Sequence, residues 1–302
     1  MEPLVSILIP TCNRTELAVK AIKSAMVQTY KNLEIIVSDN SNTDILGLKI
    51  EELASCKVKY YKNSQNIGPI LNWRQALHSA SGKYCVILPD DDYLLNPYYV
   101  EDAVNILEDG CVALVIPECV CCYPNKNALA STGYKGVMSG IRFFKNEHHI
   151  PHIGNVFIRE HAIELDAFSS NEILWSDIEL WWRILECSDV YCYSTPSILY
   201  LFHDDNIVLN MTKSQLILNS KFVARDIPHK DKQFSVHAKL LRYLKMVDSI
   251  TGGVDKAFVI EAARLNGVSD KAASIYRSFI MFSARRKIKS SFERMIRSVL
   301  KK

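Results

Sequence analysis

Short apolar runs alternate with stretches of helical spacing up to about residue 120. Val5–Pro10 is β-branched and apolar and is closed by Pro10, which predicts a buried strand. Thr15–Val27 has apolar residues at 17, 18, 21, 22, 25 and 26, the spacing of one helix face. Leu33–Val37, Val58–Tyr61, Tyr84–Leu88 and Cys111–Ile116 predict four more strands. Gly68–Ser79 and Pro97–Leu107 predict helices between them, the second with proline at a favourable early position. Such alternation builds βαβ units and a mostly parallel, doubly wound α/β sheet covered on both faces. From about residue 213 strand signals fade and helical stretches dominate, at 214–223, 235–250, 255–266, 270–282 and 290–300. Two domains are therefore expected, 1–210 and a mainly helical 211–302.

Composition narrows the class without naming a function. The chain has 302 residues, 48% hydrophobic and 23% charged, which suits a globular protein and excludes collagen-like, disordered and disulfide-scaffold classes. The net charge of +3 gives no argument for nucleic-acid binding. Its placement is uneven. Residues 283–302 hold eight Lys and Arg against Glu293 alone, +7 locally, which leaves 28 basic against 32 acidic residues, −4, elsewhere. Phe292, Met295, Ile296, Val299 and Leu300 recur at helical spacing in this tail. It reads as an interfacial helix on an anionic membrane surface, or as a solvated or packed surface helix. The start lacks a basic and apolar leader pattern, and no apolar run is long enough to span a bilayer. Nine scattered cysteines suit reduced thiols in a cytoplasmic protein. Cys119, Cys121 and Cys122 lack a second ligand pair for structural zinc, so buried or edge-strand thiols are expected there.

Ligands of open α/β sheets bind at the carboxyl ends of the strands. The residues placed there are Thr11, Asn13 and Arg14, then Asp39, then Asp90-Asp91-Asp92. Three adjacent carboxylates repel one another, and a divalent cation with oxygen ligands offsets that repulsion; the bland reading is a solvated acidic turn. Asn66-Ile67-Gly68 opens a helix whose first amides could face an anion. Asp177 lies at a helix start, where it serves either as a cap or as a chemical group. His203 follows an apolar run and is either a satisfied residue or a ligand. There is no G-x-G-x-x-G and no P-loop, which disfavours dinucleotide enzymes and P-loop NTPases.

These residues carry a resemblance. Val5–Arg14 is similar to the opening strand and loop of family 2 glycosyltransferases with the GT-A fold. Glu34–Ser41 resembles that family's second strand with its base-binding aspartate, although Ser38 and Asn40 replace the first Asp and the Gly of the usual Asp-Asp-Gly-Ser. Asn66-Ile67-Gly68 matches the Asn-x-Gly before the donor-side helix, and Leu88–Asp92 the DxD-type motif. Ser176-Asp177 with Leu180–Arg183 resembles the Glu-Asp…Leu-Trp-x-Arg signature, with Ser176 in place of Glu. The resemblance spans about residues 4–205.

The resemblance implies a GT-A catalytic domain, with a nucleotide-sugar half to about residue 115 and an acceptor half over 116–210. It implies inverting, metal-dependent transfer from a nucleoside-diphosphate sugar, UDP foremost, to a hydroxyl of a glycan or lipid-linked oligosaccharide. The setting would be bacterial surface-polysaccharide assembly (O-antigen or capsule) at the inner face of the cytoplasmic membrane. Pro10, Thr11, Asn13, Arg14, Asp39, Asn66, Gly68, Asp90 and Asp91 would bind the nucleotide-sugar. Asp92 and His203 would hold Mn2+ or Mg2+, and Asp177 would deprotonate the acceptor. Trp175, Trp181, Trp182 and Asn155 would lie on the acceptor side, though helical spacing makes core packing the expected fate of at least one tryptophan. His148, His149 and His152 are read as an acceptor-side loop rather than a zinc site. Two other readings share these carboxylates: a sugar-nucleotide nucleotidyltransferase, disfavoured by the lack of glycines in Pro10–Asn13, and an inactive sugar-nucleotide-binding protein.

Overall fold

A computed structural model describes residues 2–123, 126–146, 153–203, 210–225, 235–276 and Ile280. The histidines of the 148–152 segment and the basic tail from residue 281 lie outside the described residues. The described residues form two compact units, one up to Asn210 and one from Met211.

The first unit begins as the hydrophobic pattern requires. Strands β1 (Val5–Thr11), β2 (Leu33–Asp39), β3 (Val58–Lys62) and β4 (Tyr84–Ile87) alternate with helices α1 (Thr15–Met26), α2 (Ile45–Glu52) and α3 (Pro69–Ser79). The order β3-β2-β1-β4 is parallel throughout. Every residue of β1, β2 and β4 is buried, because both faces of this half-sheet are covered. Helix α2 follows the polar turn Asn40–Asp44 and is only eight residues long, so its periodicity is too short to stand out in the sequence.

Beyond β4 the sheet becomes mixed. The later elements are β5 (Tyr93–Leu94), α4 (Tyr99–Glu108), β6 (Leu114–Tyr123), β7 (Lys126–Ala130), β8 (Gly136–Met138), α5 (Gly140–Lys145), β9 (Val156–Ile158), α6 (Arg159–Glu164), α7 (Ser176–Cys187) and β10 (Val190–Leu201). β9 lies antiparallel between β4 and β6, so the sheet is parallel in its first half rather than mostly parallel throughout. β6 and β10 run parallel, with β7 antiparallel to β6 and with β5 and β8 antiparallel to β10. β6 continues past Pro117, where the pattern predicted its end. The register against β10 shifts between Cys192 and Pro196, and an irregular ladder tolerates a residue without an N–H. The second unit is helical, with α8 (Lys213–Asn219), α9 (Val236–Thr251) and α10 (Lys256–Leu265). Among the described residues no helix is long and apolar enough to cross a membrane.

One side chain ties the carboxyl ends of the parallel strands to the helix behind them. Asn72 of α3 is 2% exposed. Its Nδ2 donates to Thr11 O at 3.1 Å and Ser38 O at 3.0 Å, and its Oδ1 accepts from Ser38 Oγ at 2.7 Å and Asn63 Nδ2 at 2.8 Å. All four hydrogen-bonding capacities of the amide are used. Asn72→Leu keeps the volume and strands these partners, at about 1–3 kcal/mol for each group left unpaired. Urea unfolding of this variant is expected to show a lower midpoint at unchanged slope, a loss of about 3 kcal/mol in unfolding free energy. A loss within experimental error would show that the network does not hold the strand ends.

Candidate active site

A cavity of about 340 Å3 opens at the carboxyl ends of β1, β2 and β4. One wall is the turn Asp90–Asp92 after β4; another is the start of α7 with Trp175 and Asp177. Thr11, Arg14, Asn66 and Asn72 line the side toward β1 and α3.

The three carboxylates are 5%, 7% and 0% exposed in chain order, so they are not a solvated turn. Asp90 accepts from Thr11 Oγ1 at 2.7 Å, and Arg14 Nη1 stands 3.4 Å from its other oxygen. The same Arg14 nitrogen reaches Asp91 Oδ2 at 2.7 Å, and His203 Nε2 lies 2.8 Å from that oxygen. Asp92 Oδ1 accepts from Leu201 N at 3.0 Å, whereas its buried Oδ2 has no hydrogen-bond partner among the described residues. Burial, and then the neighbouring Asp91, pushes Asp90 up to about 6; the same two causes hold Asp92 well above the usual carboxylate range. A buried carboxylate oxygen without a partner is costly unless a cation meets it. The bare oxygen of Asp92 thus suits a divalent cation, although among the described residues no three His, Cys, Asp or Glu side chains converge to hold one.

Asp177 stands in the first turn of α7, 7% exposed. Burial pushes it up to about 7, against the opposing pull of the Ile178 and Asp177 backbone amides. The segment leading to it is clamped by α3. Arg74 pairs with Asp166 at 2.7 Å and donates to Ala167 O, and Trp73 meets Phe168 edge-on at 5.6 Å. Asn171 Oδ1 accepts from Ile70 N and Leu71 N, and its Nδ2 donates to Ile67 O at 2.8 Å. Asp166 and Phe168 have positive φ, 50° and 58°, a strained state that surrounding contacts must enforce.

Other sequence-selected residues fall differently. The α3 amides do not face an anion: Pro69 has no N–H, and Asn171 takes the next two. Gly68 caps α3 at φ +87°, where a Cβ would lie 2.3 Å from the Asn171 side chain. Asn66 lines the cavity while its Oδ1 accepts from Gly68 N. Asp39 is fully buried behind the cavity wall, bonded to Ser41 N and to Tyr60 Oη at 2.7 and 2.8 Å. Asn13, at φ 56°, accepts from Asn42 N and shapes the loop. Pro10 and Trp175 line the cavity. Trp181 and Trp182 do not: they face the interior, edge-on to Phe157 and Phe144, because their places on α7 turn them to the core. Asn155 is fully buried beside β9 and also lies off the cavity. Sequence reading missed Asn72, Asn171 and Tyr200. The first two act through partners up to 104 positions away, which no local pattern encodes; Tyr200 lies within an apolar run.

The sequence profile described as Glycosyl transferase family 2 matches residues 6–164. A curated relative is the Campylobacter jejuni GalNAc(5)-diNAcBac-PP-undecaprenol beta-1,3-glucosyltransferase, 28% identical over 219 residues that cover 70% of this chain and 69% of that protein. Alignments with two further curated relatives cover only 23% and 33% of those proteins. Among solved structures, S. aureus TarS 1-349 in complex with UDP superposes with a TM-score of 0.64 at 13% identity, over 94% of this chain and 92% of that one. The mannosyltransferase PcManGT from Pyrobaculum calidifontis, in complex with GDP-Man and Mn2+, gives 0.53 at 15% identity, over 95% and 88%. At these identities the likeness is one of fold, and the fold is GT-A.

A carboxyl whose folded pKa lies near 7 and whose ordinary value is 3.8 holds its proton more tightly when folded. Wild-type stability therefore falls as pH rises from about 4 to about 7, and the full penalty applies above 7. In the ligand-free protein, Asp177→Asn is expected to raise Tm by several degrees at pH 8, and the gain should vanish below pH 4. A gain independent of pH would contradict the buried, proton-holding state.

Proposed function

The chain belongs to glycosyl transferase family 2 and is an enzyme of that class, and from this premise we propose that it moves a sugar from a nucleoside-diphosphate donor, UDP foremost, to a hydroxyl of a lipid-linked glycan, with inversion. The observation that carries the reading is one cavity with two unlike carboxylates on its walls. Asp92 has a bare buried oxygen suited to a cation, and Asp177 has a proton affinity near neutral pH.

The acceptor oxygen attacks the anomeric carbon as its proton passes to an Asp177 carboxylate oxygen. The bond from that carbon to the diphosphate oxygen breaks, and its electron pair leaves with the nucleotide. A base whose pKa lies near the working pH contributes about 10²–10⁴-fold. Mn2+ or Mg2+ held by Asp92, with Asp91 and His203 beside it, would neutralise charge on the departing diphosphate. Arg14 is fixed between Asp90 and Asp91 and adds a positive charge at the same end. Thr11, Asn66 and Asp90 line the donor side, and Trp175 stands beside the base. Asp39 and Gly68 support that side from behind, through the β2 end and the α3 cap.

The relatives support the pathway reading. One is named as acting on a PP-undecaprenol-linked glycan, and solved structures of this fold hold UDP or GDP-Man with Mn2+. We place this chain in bacterial surface-polysaccharide assembly at the inner face of the cytoplasmic membrane, where the basic C-terminal tail would meet anionic lipid. Asp177→Asn is expected to keep UDP affinity within about twofold and to lose about 10²–10⁴-fold in kcat. Calorimetry and a coupled UDP-release assay read the two quantities. Unchanged turnover would remove Asp177 as the base, and a protein that binds donor sugars yet never turns over would be a binding protein.

A further inference from the structure

A second hollow of about 350 Å3 lies beside the reaction cavity, in the size range of small-molecule sites. Its floor is made of small side chains. Cys119 and Cys121 of β6 stand in register opposite Ala130 and Ala128 of β7, and paired residues two apart share one face of the sheet. Larger residues at these four positions would fill the space. The rim is aromatic: Tyr123 and Phe202 stack at 4.1 Å, and Phe202 meets Tyr200 edge-on at 4.7 Å. Leu129, Ser131 and Ile153 complete the lining, which among the described residues contains no Asp, Glu, Lys, Arg or His. Burial pushes both floor thiols up, so they act as neutral apolar groups.

Ile153 and Tyr200 also line the reaction cavity. Tyr200 stands with Asp91, Asp92 and Asp177 in the wall of that cavity, so the hollow adjoins the proposed cation-binding carboxylates and the proposed base. A fully hydroxylated sugar would lose water contacts against thiols and methyl groups. A neutral sugar that offers a methyl group to the floor and a ring face to the aromatic rim matches these walls.

We propose that this hollow is an acceptor-sugar subsite that selects an N-acetylated sugar, its acetyl methyl on the Cys119, Cys121, Ala128 and Ala130 floor and its ring against the aromatic rim. The assignment rests on the transfer reaction proposed above.

The test is saturation-transfer NMR on the full chain with UDP and Mg2+. The probes are methyl glycosides of N-acetylglucosamine and N-acetylgalactosamine, with those of glucose, galactose and fucose as controls. The acetyl methyl should receive the strongest saturation, and at least one acetamido glycoside should bind tenfold or more tightly than every control. Ala130→Leu, which fills the floor, should weaken that binding tenfold or more while leaving the UDP Kd within twofold. Cys119→Ser, which makes the floor polar without filling it, should weaken it severalfold. Equal binding of acetamido and control glycosides would overturn the proposal, as would wild-type acetamido binding by either variant with UDP affinity intact. Failure of the wild-type chain to bind UDP would instead strike the transfer reaction beneath it.

Discussion

Three successive carboxylates buried at the end of one strand are the constraint on which the rest of this site depends. Unpaired, they would be forced to hold protons or to unfold the turn. The fold answers with a different partner for each. Thr11 and Arg14 hold Asp90, Arg14 and His203 hold Asp91, and the Leu201 amide holds one oxygen of Asp92. The remaining Asp92 oxygen meets no partner among the described residues. These partners come from the loop after β1 and from the end of β10, so satisfying the carboxylates also brings distant ends of the sheet together.

That assembly is useful only if the base is equally well placed. α3 serves both sides. Asn72 fastens it to the ends of β1 and β2, and its first turn receives Asn171 from the segment that leads to Asp177. The positive φ values at Asp166 and Phe168 belong to the same clamp. Donor side and base thus share one rigid element, which suits a displacement in which nucleophile and leaving group must lie on opposite sides of one carbon.

Much of this was legible in the residues. The parallel half of the sheet follows from apolar runs alternating with helical spacing, and Asp90–Asp92, Asp177 and Arg14 were picked out by type and position. What escaped depends on long-range pairing. β9 inserts antiparallel because it pairs with β4 and β6 at once, which no period reveals. The first amides of α3 looked available to an anion until Asn171, a hundred positions on, filled them. Trp181 and Trp182 share a helix with Asp177, yet their positions on it turn them to the core. Asp39 matches by motif, and the structure adds that both its oxygens already serve Ser41 and Tyr60 behind the cavity.

The central claim is that the unpartnered oxygen of Asp92 receives a divalent cation together with a nucleoside diphosphate. Electron paramagnetic resonance of free Mn2+ tests it directly. Titrating the wild-type chain with Mn2+ in the presence of UDP should remove the free-ion signal up to one equivalent of protein beyond what UDP alone binds, and Asp92→Asn should abolish that extra uptake. Equal uptake by Asp92→Asn, or none by the wild-type chain, would contradict the account.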